Sequence, residues 1–247
     1  MEEMKKRKQD SQEDIHASRE DVRIRSIDVA LQLLKAGGRD ALTTRAVADA
    51  AGIQAPTLYR LFGDKRGLLD AVVEYSYVSD FNTKKAQKYD PDPLENLRKA
   101  WEHHTKYGLE NPILYALIVG DPRPGFPSPV TQKVQQRLGE TIHQIALAGR
   151  LRVTEKQAVE LVYAASTGAV LALLAMPEEH RDLRLAQDAC EAVIAAITND
   201  SPTSNKPGAE AAAITLKAAL PEVKSLTDGE RLFLTELLDR IATRGGS

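Results

Sequence analysis

Between Thr43 and Leu69 the chain reads TTRAVADAAGIQAPTLYRLFGDKRGLL. Its polar members, Thr44, Arg45, Thr57, Tyr59 and Lys65, carry hydroxyls, a guanidinium, a phenol and an ammonium. Those are the groups that hold phosphate oxygens and read base edges. Their spacing has a mechanical basis. Val47, Ala48 and Ala51 give one short helix a small apolar face, and Leu58, Leu61 and Phe62 give a second a larger one. Gly52 supplies the tight turn between them, Ile53 plugs the bend, and Pro56 falls in a first helical turn, where its missing N–H costs nothing. With Leu58 and Phe62 turned inward, Ala55, Pro56, Thr57 and Tyr59 face outward. That is the face a recognition helix offers to the major groove.

The segment from about Arg19 to Val73 resembles the DNA-binding domain of the TetR (tetracycline-repressor-like) family. Its pattern is a helix, a T-x-x-x-(V/I)-A-x-x-A-G turn, then T-L-Y-x-x-F and a lysine opening the next helix. Thr43, Val47, Ala48, Ala51, Gly52, Leu58, Tyr59, Phe62, Lys65, Leu68 and Leu69 all fall in register. Gln54 and Pro56 depart from the commoner Ser and Gly, so base preference does not transfer. The resemblance implies that Tyr59 and Lys65 rest on phosphates, with Thr44 as a further phosphate contact. It also implies that Arg45 reaches a guanine edge and that Thr57 and Pro56 touch thymine methyls or base edges. Taken singly, each residue has a plainer reading. Tyr59 can be a half-exposed helix residue, Lys65 and Arg66 a solvated face, and Arg45 a surface ion-pair partner. Their joint register favours DNA. The basic run Lys5, Lys6, Arg7 and Lys8 is either an arm into DNA or a solubilising tail.

The elements that must carry these residues are helices. Residues 1–18 are charged and nearly free of large apolar side chains, and are read as a flexible arm. Ile24, Ile27, Leu31 and Leu34 then recur at helical spacing, and Gly37-Gly38 stops that helix. Asp64 caps a fourth helix bearing Leu68, Leu69, Val72 and Val73. Residues 19–82 therefore form a three-helix helix-turn-helix domain with its exit helix, and Asp90-Pro91-Asp92-Pro93 marks the boundary. Residues 91–199 read as a helical domain, with helix starts at Pro93, Pro112 and Pro129 and a Thr154/Gln157 capping box. A Ser-, Pro-, Asn- and Gly-rich linker, 200–208, leads into a C-terminal helical extension reaching residue 247, with a second capping box at Thr227 and Glu230. No alternating strand pattern is present, and the fold is expected to be all-α.

The 247 residues carry 43% hydrophobic and 28% charged side chains and a net charge of -2, so DNA binding must be local to one surface. The single cysteine, Cys190, excludes an internal disulfide and fits a reducing cytoplasm. No secretory leader or long uninterrupted apolar run is evident, and no membrane association is expected. His16, His103, His104, His143 and His180 form no metal-ligand pattern. Ser166 lacks a nucleophile-elbow context, and no glycine-rich phosphate loop occurs. No catalytic residue, metal or cofactor is called for.

Trp101, His104, Tyr107, Tyr115, Ile118 and Phe126 are the candidate lining of a small-molecule pocket, since polar-tipped aromatics between helices can hold flat ligands. They are equally readable as core. Small residues on two helices, Ala165, Gly168 and Ala172 beside Leu161, and Ala189 with Val193, permit close packing. The resemblance makes them the four-helix interface of a homodimer. Two functions stand at this point. One is a regulator, expected to be a repressor, that leaves a pseudo-palindromic double-stranded DNA operator when a small-molecule effector binds. The other is a helical small-molecule-binding protein or enzyme with a vestigial helix-turn-helix.

Overall fold

The computed structural model describes residues 2–84, 90–120, 127–199 and 209–243. Helices α1 (Glu2–Ala41), α2 (Thr44–Ala51), α3 (Ala55–Phe62) and α4 (Lys65–Lys84) come first. Next are α5 (Pro93–Glu110), α6 (Pro112–Val119), α7 (Pro129–Leu147), α8 (Glu155–Leu174) and α9 (Arg184–Ile197). Helices α10 (Ala209–Ala219) and α11 (Asp228–Thr243) close the chain. Among the described residues there is no strand, only an isolated antiparallel bridge between Leu151 and Thr198. The expected all-α class holds.

The chain divides into two compact units, 1–86 with 113–130, and 87–112 with 131–247. This division differs from the linear boundary drawn near Asp90. Helix α6 has the sequence PILYALIV, apolar almost all round, and buries Leu114 and Tyr115. Its Leu114, with Val130, is buried in the same core as Ile27, Leu34, Leu58 and Val72, and Leu117 and Ile118 pack against that core.

In this first unit α1 packs on α2 and α4, and α3 bridges α2 and α4. Helix α1 breaks at Gly37 (φ -143°) and Gly38 (φ 68°, ψ -162°), where the glycine pair was expected to stop it. The segment read as a flexible arm is instead helical in its backbone and continuous with α1. Glu, Lys, Arg and Gln are good helix formers, so the run needs no apolar face to continue a helix already nucleated by the core. The side chains of Lys5, Lys6, Arg7 and Lys8 lie outside the described residues, as do residues 200–208 of the linker.

In the second unit α8 packs on α9 and α5. Its core joins Leu97, Trp101, Ile142, Ile145, Val162, Leu173, Cys190 and Ile194 to Ile214 and Ala218 of α10. Burial, reinforced by neighbouring Glu191, pushes the Cys190 thiol up to about 11, which leaves it inert at neutral pH. By length and composition α8 is apolar enough to cross a membrane. Yet its Ala158, Val162, Ser166, Ala169, Val170 and Leu173 are buried in the protein. Asp92 caps α5 by accepting from the Leu94 N–H at 2.9 Å and also pairs with Arg150 at 2.7 Å. At Thr227 the capping box is reciprocal: Glu230 N–H donates to Thr227 Oγ1, and Thr227 N–H donates to Glu230 Oε2. Arg231 reaches back from α11 to the carbonyls of Leu220, Val223 and Leu226, and Lys217 pairs with Asp239, so α10 and α11 form a tied hairpin.

Candidate nucleic-acid interface

The turn between α2 and α3 is built from backbone hydrogen bonds before any side chain acts. Thr43 caps α2 by accepting from the Ala46 N–H at 3.1 Å, an arrangement typically worth ~1 kcal/mol. At the other end Gly52 takes the left-handed conformation (φ 68°, ψ 34°). Its N–H donates to Asp49 O, and the Ile53 N–H donates to Ala48 O at 3.0 Å. This crossed pair satisfies the last carbonyls of α2 and puts residue 52 in a left-handed conformation that glycine adopts without a Cβ penalty. Ile53 then folds onto the core. Helix α3 starts without a side-chain cap, and Pro56 sits in its first turn, where no donor is needed.

Burial divides each helix partly as the spacing predicts, although Leu61 and Phe62, expected to face inward, are only half-buried. Val47, Ala48, Ala51 and Leu58 are buried. Pro56, Tyr59 and Arg60 are exposed, Ala55 and Thr57 half-buried, and the Tyr59 ring is 50% exposed. A half-solvated phenol on a helix otherwise packed inward has no core role. Arg45 lies 3.8 Å from Asp49, but their side chains are 92% and 74% exposed, so this pair contributes almost nothing and leaves the guanidinium available. Lys65 is exposed at the start of α4, and Asp64 accepts from the Gly67 N–H at 2.7 Å. Thr44 is half-buried at the start of α2. All seven sequence-selected residues therefore lie in the first unit, on α2, α3 and the first turn of α4.

Two further residues belong here. Arg60 follows Tyr59 on the exposed side of α3 and donates to Thr57 Oγ1 at 3.2 Å, placing a cation beside that threonine. Its helical offset of three from Thr57 was available in the sequence. Gly67 is different. A Cβ there would stand 1.9 Å from the Phe62 carbonyl oxygen, so only glycine lets α4 start so close to the end of α3. No local sequence pattern distinguishes that contact from an ordinary helical glycine.

The proposed pocket residues fall on two units. Trp101, His104 and Tyr107 belong to the second unit, Tyr115 and Ile118 to the first, and Phe126 lies outside the described residues. Trp101 is 5% exposed and sits in the core; its indole N–H and the Thr105 hydroxyl one turn later have no hydrogen-bond partner among the described residues. Burial, with the neighbouring His103 charge, lowers His104 to about 4, so His104 is neutral at pH 7. On α8 and α9, Leu161, Gly168 and Ala172 are exposed and Ala165, Ala189 and Val193 half-buried. Leu171 (44%) and Leu185 (40%) extend the same apolar exposure.

A short α2–turn–α3 pair with an apolar inside and a cationic, hydroxyl-bearing outside defines a helix-turn-helix protein. Residues 27–72 match the sequence model of the family described as "Bacterial regulatory proteins, tetR family". The tetracycline repressor protein class A from transposon 1721 of Escherichia coli is 42% identical over 66 residues, 27% of this chain and 30% of that protein. The class D repressor of Escherichia coli is 54% identical over 46 residues, 19% of this chain and 21% of that one. The chain thus spans less than a third of these relatives' length. Among solved structures, a TetR family transcription regulator from Marinobacter aquaeolei VT8 aligns with TM-score 0.53 and 21% identity, over 74% of this chain and 99% of that one. A TetR variant from Acinetobacter baumannii AYE, solved in complex with minocycline, aligns with TM-score 0.53 and 24% identity over 69% and 93%. At those identities the likeness is one of fold. The likeness to the TetR family of bacterial regulatory proteins is thus carried by residues 27–72.

Proposed function

We propose that this chain is a cytoplasmic, sequence-specific transcriptional repressor that binds a pseudo-palindromic operator as a homodimer and is released by a small-molecule effector held in its second unit. The observation that carries the reading is the exposed side of the helix-turn-helix. Tyr59, Arg60, Arg45 and Lys65 are solvent-facing, while Val47, Ala48, Ala51 and Leu58 of α2 and α3 are buried. Tyr59 and Lys65 supply phosphate contacts that fix the register, and Arg45, Pro56 and Thr57 supply base contacts that fix the sequence. The repressor sense is supported by the tetracycline repressors matched over this domain. Dimerisation is supported by the small-residue, apolar exposure on α8 and α9, which a second copy would cover. The effector reading is supported by the unpartnered indole N–H of Trp101 and hydroxyl of Thr105, buried polar groups that a ligand acceptor would satisfy. The family's effector domain and the minocycline-bound neighbour add the class of molecule, a small organic compound, and nothing narrower.

Selection of bound duplexes from a random pool, followed by mobility shifts, tests the reading. Lys65→Ala is expected to weaken all duplexes alike and to lower the salt slope by about one, whereas Arg45→Ala also relaxes the selected sequence. Failure to enrich any sequence would remove the regulator assignment.

A further inference from the structure

The first unit contains a cleft that shares Lys65 with the DNA-facing surface and Ile118 with the candidate pocket residues, and is otherwise lined by side chains given no role so far. Its volume is about 380 Å³, room for a dozen or so water-sized groups at ~30 Å³ each. One wall is apolar, made by Leu69 and Val73 of α4, Leu117 and Ile118 of α6, and Val130. The other is charged: Arg39, just past the glycine break of α1, and Lys65 and Arg66 at the start of α4, with Asp70 as the one carboxylate. Arg66 and Asp70 have interactions of their own. Arg39 and Lys65 are exposed and have no ion pair among the described residues. Two cations brought into one cleft from separate elements repel each other, and an anion between them relieves that repulsion. The end of α4 itself contributes little, because Asp64 already accepts the Gly67 N–H.

We propose that this cleft binds an amphipathic monoanion, a carboxylate on a short hydrocarbon tail, with the carboxylate between Arg39 and Lys65 and the tail on the α4–α6 wall. The occupant then shares Lys65 with the DNA phosphate assigned to it above. Under that reading, ligand and DNA compete for one ammonium, each weakening the other by the same factor. Such a device acts directly on the DNA-binding unit.

Calorimetric titration of the full chain with octanoate tests the site without DNA. Acetate keeps the head and removes the tail, 1-octanol keeps the tail and removes the charge, and octyltrimethylammonium reverses the charge. Octanoate is expected to bind at least about tenfold more tightly than any of the three. Arg39→Gln should weaken it about tenfold, as loss of a charged contact does. Leu117→Trp, which fills the cleft, should weaken it as well, with thermal melts confirming that both variants fold. Equal binding of 1-octanol, indifference to Arg39→Gln, or no octanoate heat at all would overturn the proposal. A second arm measures a random-sequence duplex of about 30 base pairs with and without octanoate, in wild type and in Lys65→Ala. Competition is expected in the first and not in the second. A chain that binds no DNA would defeat the regulator reading, while the octanoate titration alone would still decide the site.

Discussion

On α2 and α3 of the first unit, polar and aromatic side chains stand on the outside of a scaffold whose geometry leaves them no structural duty, Tyr59 being the plainest case. In the second unit, side chains of the same kind are folded into the core: Trp101 is 5% exposed and Tyr107 2%. An exposed aromatic on a rigid helix end points to recognition, because burial would otherwise have claimed it. A buried one is explained by burial alone unless a polar atom is left over. The Trp101 indole N–H is such a remainder, and it is what gives the second unit a candidate site.

The sharpest way to break this contrast is to separate the two properties of Trp101. Trp101→Ala should lower stability by about 3–5 kcal/mol, the cost of a large cavity in a packed core. Trp101→Phe keeps most of the volume and removes a donor that is unpaired in the described structure, so it should cost less than about 1.5 kcal/mol. Chemical denaturation measures both. If the phenylalanine variant is as damaged as the alanine one, the indole N–H has a partner and the remainder is illusory.

In the first unit the corresponding lesion is Gly67→Ala. A methyl placed 1.9 Å from a backbone oxygen cannot be relieved by a side-chain rotation, so α3 and α4 must separate. A loss of about 3 kcal/mol is expected, with DNA affinity falling although no DNA-facing group has changed. A melting temperature equal to that of wild type would refute the contact.

Gly168→Leu addresses the apolar exposure on α8. Gly168 is exposed and an added Cβ there meets nothing within 4 Å, so a side chain has room to start outward from α8 within one chain. Sedimentation should show a weakened dimer, by the order of 1–3 kcal/mol, with the melting behaviour of the monomer preserved. An undisturbed dimer would place the interface elsewhere.

The smallest effect is a pH dependence. His104 has a folded pKa of about 4, below its unfolded value near 6.5. The unfolded chain therefore takes up a proton first as pH falls. The His104 contribution is fully present above about pH 6.5 and is lost progressively as pH falls towards 4. Melting temperatures should drop across that window by at least about 2 °C, and His104→Gln should flatten part of the drop. A variant with the wild-type profile would assign the dependence to other groups.

What could be read from the residues was local. The limits of α2 and α3 follow from Thr43, Gly52 and Gly63, because an N-cap and left-handed glycines act within a few residues. The inward-outward split of Leu58 and Tyr59 followed from helical period alone. The readings that the structure revised depended on distant packing. Helix α6 joins the first unit with Leu114 buried in a cluster built largely from distant residues such as Ile27, Leu34 and Val72, which no neighbouring residue announces. Tyr115 and Ile118 fall in the first unit and Trp101 in the second. Ile214 and Ala218, assigned to an extension of unknown attachment, enter the core of the second unit. Gly67 looked ordinary because its constraint is a carbonyl on another helix.

The small bridge between Leu151 and Thr198 has a consequence for motion. The Arg152 N–H donates to Ile197 O, and the Asn199 N–H donates to Arg150 O, both at 2.9 Å, so the residues entering α8 are fastened to those leaving α9. The helix pair proposed to dimerise is thereby a closed loop whose two ends open together. These two amide hydrogens should exchange with solvent at nearly one rate, set by the opening of the whole α8–α9 pair. If dimerisation holds that pair shut, the shared rate should slow as protein concentration rises, giving a local clock for subunit association.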